Sequence, residues 1–403
     1  MRTSVALLLI FAAANLLADD TGYEFNGHTK LRLIGQWYPA DSVFTADAGS
    51  ESLDLESDLR LNFSASNGRW RFDTAYQLFA LHGDTVASPN DDRRLFDLSD
   101  VIHEEGRTIV AQRLDRLWVG YANDKAVVRF GRQALSWGNG LFYAPMDLVN
   151  PFNPAAIDTE FKSGDDMLYM QYLRDSGDDL QAAIVFRRDP ISGDVESDQA
   201  TATLKYHHFA GDKEYDILIG DSYGDTVLGI GAAGSVGGAI LRADLVVTDT
   251  SGETYVQVVS NLSYSWSWGG KNVSGAVEYY FNGFGQHDSQ YDPASLAQNP
   301  DLLERLSRSE LFTAGRNYLA GSMMIELLPL WSVTPTLLVN ASDPSALLQL
   351  MSSYSLSDNM TFLGSINLPI GPNGSEIGGA EAVVPGQYRS IDWGVFAQLA
   401  WYF

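Results

Sequence analysis

A set of basic side chains falls in the first 175 residues of the chain: Lys30, Arg32, Arg60, Arg71, Arg113, Arg116, Arg129, Arg132 and Arg174. Asp54, Glu56, Asp58, Asp73 and Asp115 lie on nearby stretches. Charges of both signs crowded into one region can do two things. They can pair and stabilise a wetted wall, or they can form a charged constriction that sorts solutes. An Arg in such a constriction can hold a carboxylate with two parallel hydrogen bonds. The candidates for that role are Lys30, Arg32, Arg60, Arg71, Arg116, Arg129 and Arg132. Arg129 and Arg132 differ by an odd number of residues, so on a regular strand they point to opposite faces. A bulge at Gly131 would bring them to one side.

A second stretch, Gly131 to Tyr172, supplies the opposing groups. It contains Asp147, Asn150, Asn153, Asp158, Glu160, Lys162, Asp165 and Asp166. Pro145, Pro151 and Pro154, with Trp137, Phe142, Tyr143 and Phe152, make it a stiff, self-packed loop. If Arg60, Arg71, Arg116 and Arg129 face the acids Asp158, Glu160, Asp165 and Asp166, the two sets form opposed ladders. Such ladders orient a dipolar or anionic solute.

Other chemistries fit less well. The histidines are His28, His82, His103, His207, His208 and His287, and none stands in a Ser–His pattern that would activate a nucleophile. No enzymatic activity is expected. The acidic pairs Asp91-Asp92, Glu104-Glu105, Asp165-Asp166 and Asp178-Asp179 lack the spacing of a calcium loop, so neither metal nor cofactor is expected. The chain has no cysteine, which excludes disulfides and thiolate metal sites. With 26 Lys plus Arg against 51 Asp plus Glu, and a net charge of −25, it is not built to bind nucleic acid.

The elements that carry these residues are strands of period two. The segment LDLESDLRLNF puts Leu53, Leu55, Leu59, Leu61 and Phe63 on one face. Asp54, Glu56, Asp58, Arg60 and Asn62 take the other. The C-terminal segment IDWGVFAQLAWYF alternates likewise and ends on Phe403. Segments of this kind recur near 27–38, 70–78, 106–121, 125–137, 167–175, 179–188, 200–209, 214–223, 226–234, 238–248, 254–266, 272–281, 317–327, 332–340, 345–356 and 360–368. That gives about eighteen strands, or about sixteen if the weak segments at 214–234 merge, with long and short connections alternating. The longer connections are expected near 84–105, 138–166, 282–316 and 369–389. Within 282–316, Asn299 and Pro300 suit a helix cap and first position, with Leu302, Leu303 and Leu306 as an apolar stripe. The 369–389 segment, rich in Gly and Pro, reads as a flexible surface loop.

The first residues, MRTSVALLLIFAAANLLADD, read as a secretory signal peptide spanning 1–18, with Ala14 as the alternative cleavage position. An exported chain without a long apolar helix enters a membrane by closing a sheet whose apolar face meets lipid. The closing strand, ending in aromatic–x–Phe, resembles that of bacterial outer-membrane β-barrels. The Gly131–Tyr172 stretch resembles one that recurs in porin-like families of proteobacteria, some grouped with alginate-export or other substrate-selective channels. The resemblance implies one all-β domain over 19–403, a transmembrane antiparallel barrel with both termini in the periplasm. It implies a loop that either folds into the lumen or packs as a lid on the rim, contact with outer-membrane lipid and lipopolysaccharide, and passive passage of a small hydrophilic solute. An export or assembly barrel for polysaccharide or lipid is the alternative. Assembly with copies of itself or with a periplasmic partner stays open.

Overall fold

The computed structural model describes residues 21–403; the signal-peptide reading lies outside them. The alternating segments form eighteen antiparallel strands in one closed ring. They are β1 (Thr21–Trp37), β2 (Glu51–Asn67), β3 (Trp70–His82), β4 (Thr108–Ala122), β5 (Ala126–Gln133) and β6 (Asp165–Leu173). Next come β7 (Asp179–Val185), β8 (Thr201–Ala210), β9 (Lys213–Ser222), β10 (Asp225–Val236), β11 (Ala239–Asp249) and β12 (Thr254–Trp268). The last six are β13 (Lys271–Asn282), β14 (Asn317–Leu328), β15 (Trp331–Asn340), β16 (Ser345–Ser357), β17 (Met360–Ile370) and β18 (Trp393–Tyr402). Each strand pairs with its neighbours in sequence, and β18 closes on β1 with His28 opposite Tyr402 and Trp37 opposite Trp393. Beyond that ladder, Gly27 and Phe403 exchange backbone hydrogen bonds of 2.9 and 3.0 Å. A Cβ at Gly27 would stand 2.8 Å from the Phe403 ring, so only glycine fits beneath it.

Burial is inverted relative to a dry-cored protein. On β2, Leu53 and Leu55 are 48% and 49% exposed, while Asp54 and Asp58 are each 4% exposed. The apolar parity faces outward and the charged parity is enclosed, which is the pattern of a barrel in lipid. Aromatic rings collect at both ends of the outer belt. Trp37 stacks on Trp393 at 3.8 Å near the long-loop end, and Trp70 meets Tyr121 edge-on at 5.2 Å near the other. Trp118 is at that other end too, but its strand turns it inward, against Arg129.

Several expectations need correction. The segment 214–234 does not merge. Tyr223 and Gly224 form a two-residue turn with φ of 55° and 81°, the geometry that suits a tight hairpin. Long and short connections therefore do not alternate throughout, because this turn lies at the long-loop end. The 84–105 segment is not wholly loop: Ser99–Glu105 pairs with the upper part of β4. Asp165 and Asp166 begin β6 rather than ending the preceding loop. No bulge occurs at Gly131; the ladder stays in register there, with Gly131 at φ 122°. The bulge lies on β4 instead, where the partner of Ala75 is Arg116 and that of Tyr76 is Leu114. Asp115 is the extra residue, and its insertion turns both Arg113 and Arg116 inward.

The helix capped by Asn299 spans Pro300–Ser307, and the Asn299 side chain accepts from the Leu302 amide. It packs on its own loop through Leu302 and Leu306 against Phe284 and Leu311, while Leu303 is exposed. A short helix at Pro293–Leu296 precedes it. The 369–389 segment is anchored by Glu376, which accepts from Tyr318 Oη at 2.6 Å and Asn340 Nδ2 at 2.6 Å.

A candidate solute path in the barrel lumen

Residues 134–164, between β5 and β6, leave the wall and cross the interior. Each stop on their route is fixed by a side chain of the barrel wall. Trp137 donates to Gln181 on β7 at 2.7 Å. The Asn139 amide and side chain donate to Asp244 on β11 at 2.6 and 2.7 Å. Glu278 on β13 accepts from three successive amides, those of Leu141, Phe142 and Tyr143, at 2.6, 3.0 and 2.8 Å. The Tyr143 ring then stacks on Tyr280 at 4.7 Å. Burial and the nearby carboxylates of Glu376 and Glu278 push the Tyr143 hydroxyl well above the usual tyrosine range.

The outbound limb of this loop fills part of the lumen with a dry core. Trp137, Met146 and Val149 pack against Met167, Tyr169, Val185, Leu218, Val227 and Val246 of the wall. From the returning limb, Lys162 reaches back to donate to Asp147 at 2.7 Å and to the Leu135 carbonyl. Burial raises the Asp147 carboxyl to about 6 against the opposing pull of Lys162, and burial lowers the Lys162 ammonium. Asn150, at φ 51°, reverses the chain.

The returning limb is hung on the opposite side of the barrel. Lys30 on β1 lies 2.6 Å from Asp158 and 2.7 Å from Glu160. Arg32 reaches Asp158 at 3.1 Å, and Tyr402 donates to Glu160 at 2.8 Å. Burial raises the Asp158 carboxyl, but Lys30 and Arg32 outweigh it and hold it below its ordinary value. Arg60 meets Asp115 at 2.8 Å and lies under the Phe161 ring at 4.3 Å. Arg116 binds Asp115 at 2.6 Å and the Lys162 carbonyl.

Two cavities remain beside this limb. One, of about 770 Å³, lies between residues 153–161 and the wall of β1–β4 and β16–β18; Arg32, Glu56, Asp58 and Arg113 line it. The other, of about 660 Å³, opens toward the long-loop end and is lined by Arg93, Arg94, Asn150, Arg187, Tyr223 and Arg308. There Tyr223 sits between the guanidinium groups of Arg187 and Arg308, at 4.6 and 4.2 Å. Asn153 and Phe161 line both cavities. Phe161 is 39% exposed although it lies inside the barrel.

The expected basic and acidic ladders are thus not opposed across open space. Lys30 is joined directly to Asp158 and Glu160. Asp165 pairs with Arg187 at 3.1 Å. Asp166 pairs with Arg132 at 3.0 Å, and Asp91 with the same Arg at 2.8 Å. Arg132 is fully enclosed, with the Phe96 and Leu114 carbonyls completing its shell, and it lies away from both cavities. Burial raises the Asp91 carboxyl, but Arg132 and Arg94 outweigh it and keep it low. Arg71 stands at the short-turn end, half exposed, 3.5 Å from Asp73. Arg129 faces inward near that end, its guanidinium over Tyr169 at 4.6 Å and Trp118 at 5.5 Å.

Sequence reasoning did not single out Glu278, Asp244 or Arg187. A signal for the first two was present. Each is the one acid on the inner parity of its strand, in GAVEYYF and LRADLVV. Such an isolated charge needs a partner from elsewhere in the chain.

No protein-family model matches the sequence, and no curated protein does. Solved structures match in fold. The Acinetobacter baumannii OccAB1 structure superposes with a TM-score of 0.54 at 9% identity, covering 96% of this chain and 97% of that one. A BenF-like porin from Pseudomonas fluorescens Pf-5 gives 0.51 at 9% identity, covering 96% and 99%. A mutant of the Rhodopseudomonas blastica porin gives 0.48 at 12% identity, covering 95% and 100%. The chain has the closed antiparallel barrel fold of bacterial porins.

Proposed function

We propose that the chain is a passive, non-enzymatic channel of the bacterial outer membrane for small hydrophilic solutes, dipolar or anionic ones in particular. The observation that carries this reading is the division of the lumen. Loop 134–164 seals one side with a dry core and leaves the other side water-facing, narrow and charged. A barrel of eighteen strands is wide enough for an aqueous path, and an inserted loop is what gives it a size limit. The belt of exposed Leu, Val, Ile and aromatic residues matches a lipid surface. In this reading the short turns and both ends of the barrel chain face the periplasm, and residues 1–18 direct export. The charged lining weighs against the alternative of a lipid-export barrel, whose path would be apolar.

The test is swelling of liposomes that contain the purified protein, in isotonic sugars and amino acids of graded size. Swelling in small solutes that falls off steeply with size supports the reading. Liposomes that contain the folded protein yet swell no faster than empty ones would falsify it.

A further inference from the structure

The larger cavity is not uniformly polar. Ile34 on β1 and Phe396 on β18 are direct partners across the closing ladder, and both point into the lumen. Leu347 on β16 and Ile157 in the loop line the same cavity. Inward positions of a channel barrel are ordinarily polar. An apolar patch there loses contact with nothing in lipid and gains nothing in water, so its use lies in what it meets in the cavity.

The charged wall of the same cavity has unfilled hydrogen-bonding capacity. Arg113 gives its Nε to Gln77 at 2.8 Å, but its Nη2 stands 3.8 Å from Asp115, beyond hydrogen-bonding reach. Glu56 stands 3.6 Å from Arg32, also too far. Both side chains are part-exposed to the cavity. One donor group and one acceptor group, each only loosely engaged, therefore lie beside an apolar patch.

We infer that this cavity is a binding site for a small zwitterion bearing a compact aliphatic group, of the kind an aliphatic amino acid presents. The carboxylate goes to Arg113 and Arg32, the ammonium to Glu56 and Asp58, and the hydrocarbon to Ile34, Leu347 and Phe396. A cavity of about 770 Å³ admits such a molecule with its bridging waters. The inference rests on the channel reading above for how the solute arrives, and names what the channel prefers.

The experiment uses leucine, glycine and mannitol as probes. Each is added to the full-length protein in a planar bilayer while the ion current is recorded, and to the same protein in detergent for calorimetry. Leucine is expected to interrupt the current saturably, at concentrations lower than glycine by on the order of tenfold, given the hydrocarbon it buries. Mannitol should not interrupt it over that range. The double variant Ile34→Ser, Phe396→Ser should bring the leucine-to-glycine ratio close to one. Heat-modifiable gel migration checks that the variant is folded, and Phe396→Leu should keep the preference. Equal effects of leucine and glycine on the unaltered protein, or an unchanged ratio in the double variant, overturn the inference. If the unaltered protein passes no ions, the channel reading fails and calorimetry alone decides. Leucine binding that the double variant loses then sustains the site, and no binding overturns it.

Discussion

The Lys30 ammonium donates to the Asp158 carboxylate at 2.6 Å, joining the first strand to a loop 128 residues away. Lys30 is almost fully enclosed by this contact and by Glu160 at 2.7 Å. The pair fixes how far the returning limb of the loop stands from the wall, and so sets the width of the path.

Acid should loosen this attachment. Asp158 is held below its ordinary value of 3.8, so its contribution is present above that value and is lost as pH falls through the lower folded value. Single-channel conductance is expected to be steady from pH 7 to about 4 and to become larger or noisier below that. Asp158→Asn should show the acid behaviour at pH 7. A conductance indifferent to both changes would show that the pair does not position the loop.

Selectivity should depend on the charges that remain open to the cavity rather than on all basic residues. Arg116 is held by Asp115 at 2.6 Å and lines neither cavity, and Arg132 is enclosed between two carboxylates. Arg113 and Arg32 retain exposed edges. Replacing Arg113 by Gln should move the reversal potential in a salt gradient toward cations more than Arg116→Gln does. The reverse order would contradict this assignment.

Arg132 should matter for stability and not for selectivity. Removing its charge leaves Asp166 buried without a cationic partner and Asp91 with Arg94 alone, at a cost of about 3–5 kcal/mol. Arg132→Ala is expected to lower the urea midpoint of the protein in detergent, with the reversal potential unchanged in whatever fraction inserts. A midpoint equal to that of the unaltered protein would mean that water reaches the two carboxylates.

Phe161 separates the two cavities. Phe161→Ala should raise open-channel conductance and admit larger sugars in liposome swelling, whereas Phe161→Trp should lower both. Since the chain has no native cysteine, Phe161→Cys can be labelled cleanly, and a bulky thiol reagent should reduce the current. Unchanged size limits in all three variants would place the narrowest point elsewhere.

The strands were legible because burial on one face enforces a period of two, and that period survives in nearly every segment from β1 to β18. The lipid-facing character followed from the same alternation. Three things were not legible. The bulge at Asp115 depends on the partner strand, since only pairing with β3 shows that one residue is extra. The fate of Arg132 depends on the 91–98 segment folding over it, a contact between residues far apart in sequence. The apolar patch was hidden because Phe396 sits on the mixed parity of the closing strand, where a single apolar residue reads as irregularity. Its meaning emerges only when Ile34 is placed opposite it.

The most direct measurement is single-channel recording of the purified, folded protein in a planar bilayer. Discrete, voltage-independent current steps are expected at low applied voltage, with a reversal potential in a salt gradient that moves toward cations in Arg113→Gln. A folded, inserted barrel that passes no current in either orientation would contradict a passive solute path through this lumen.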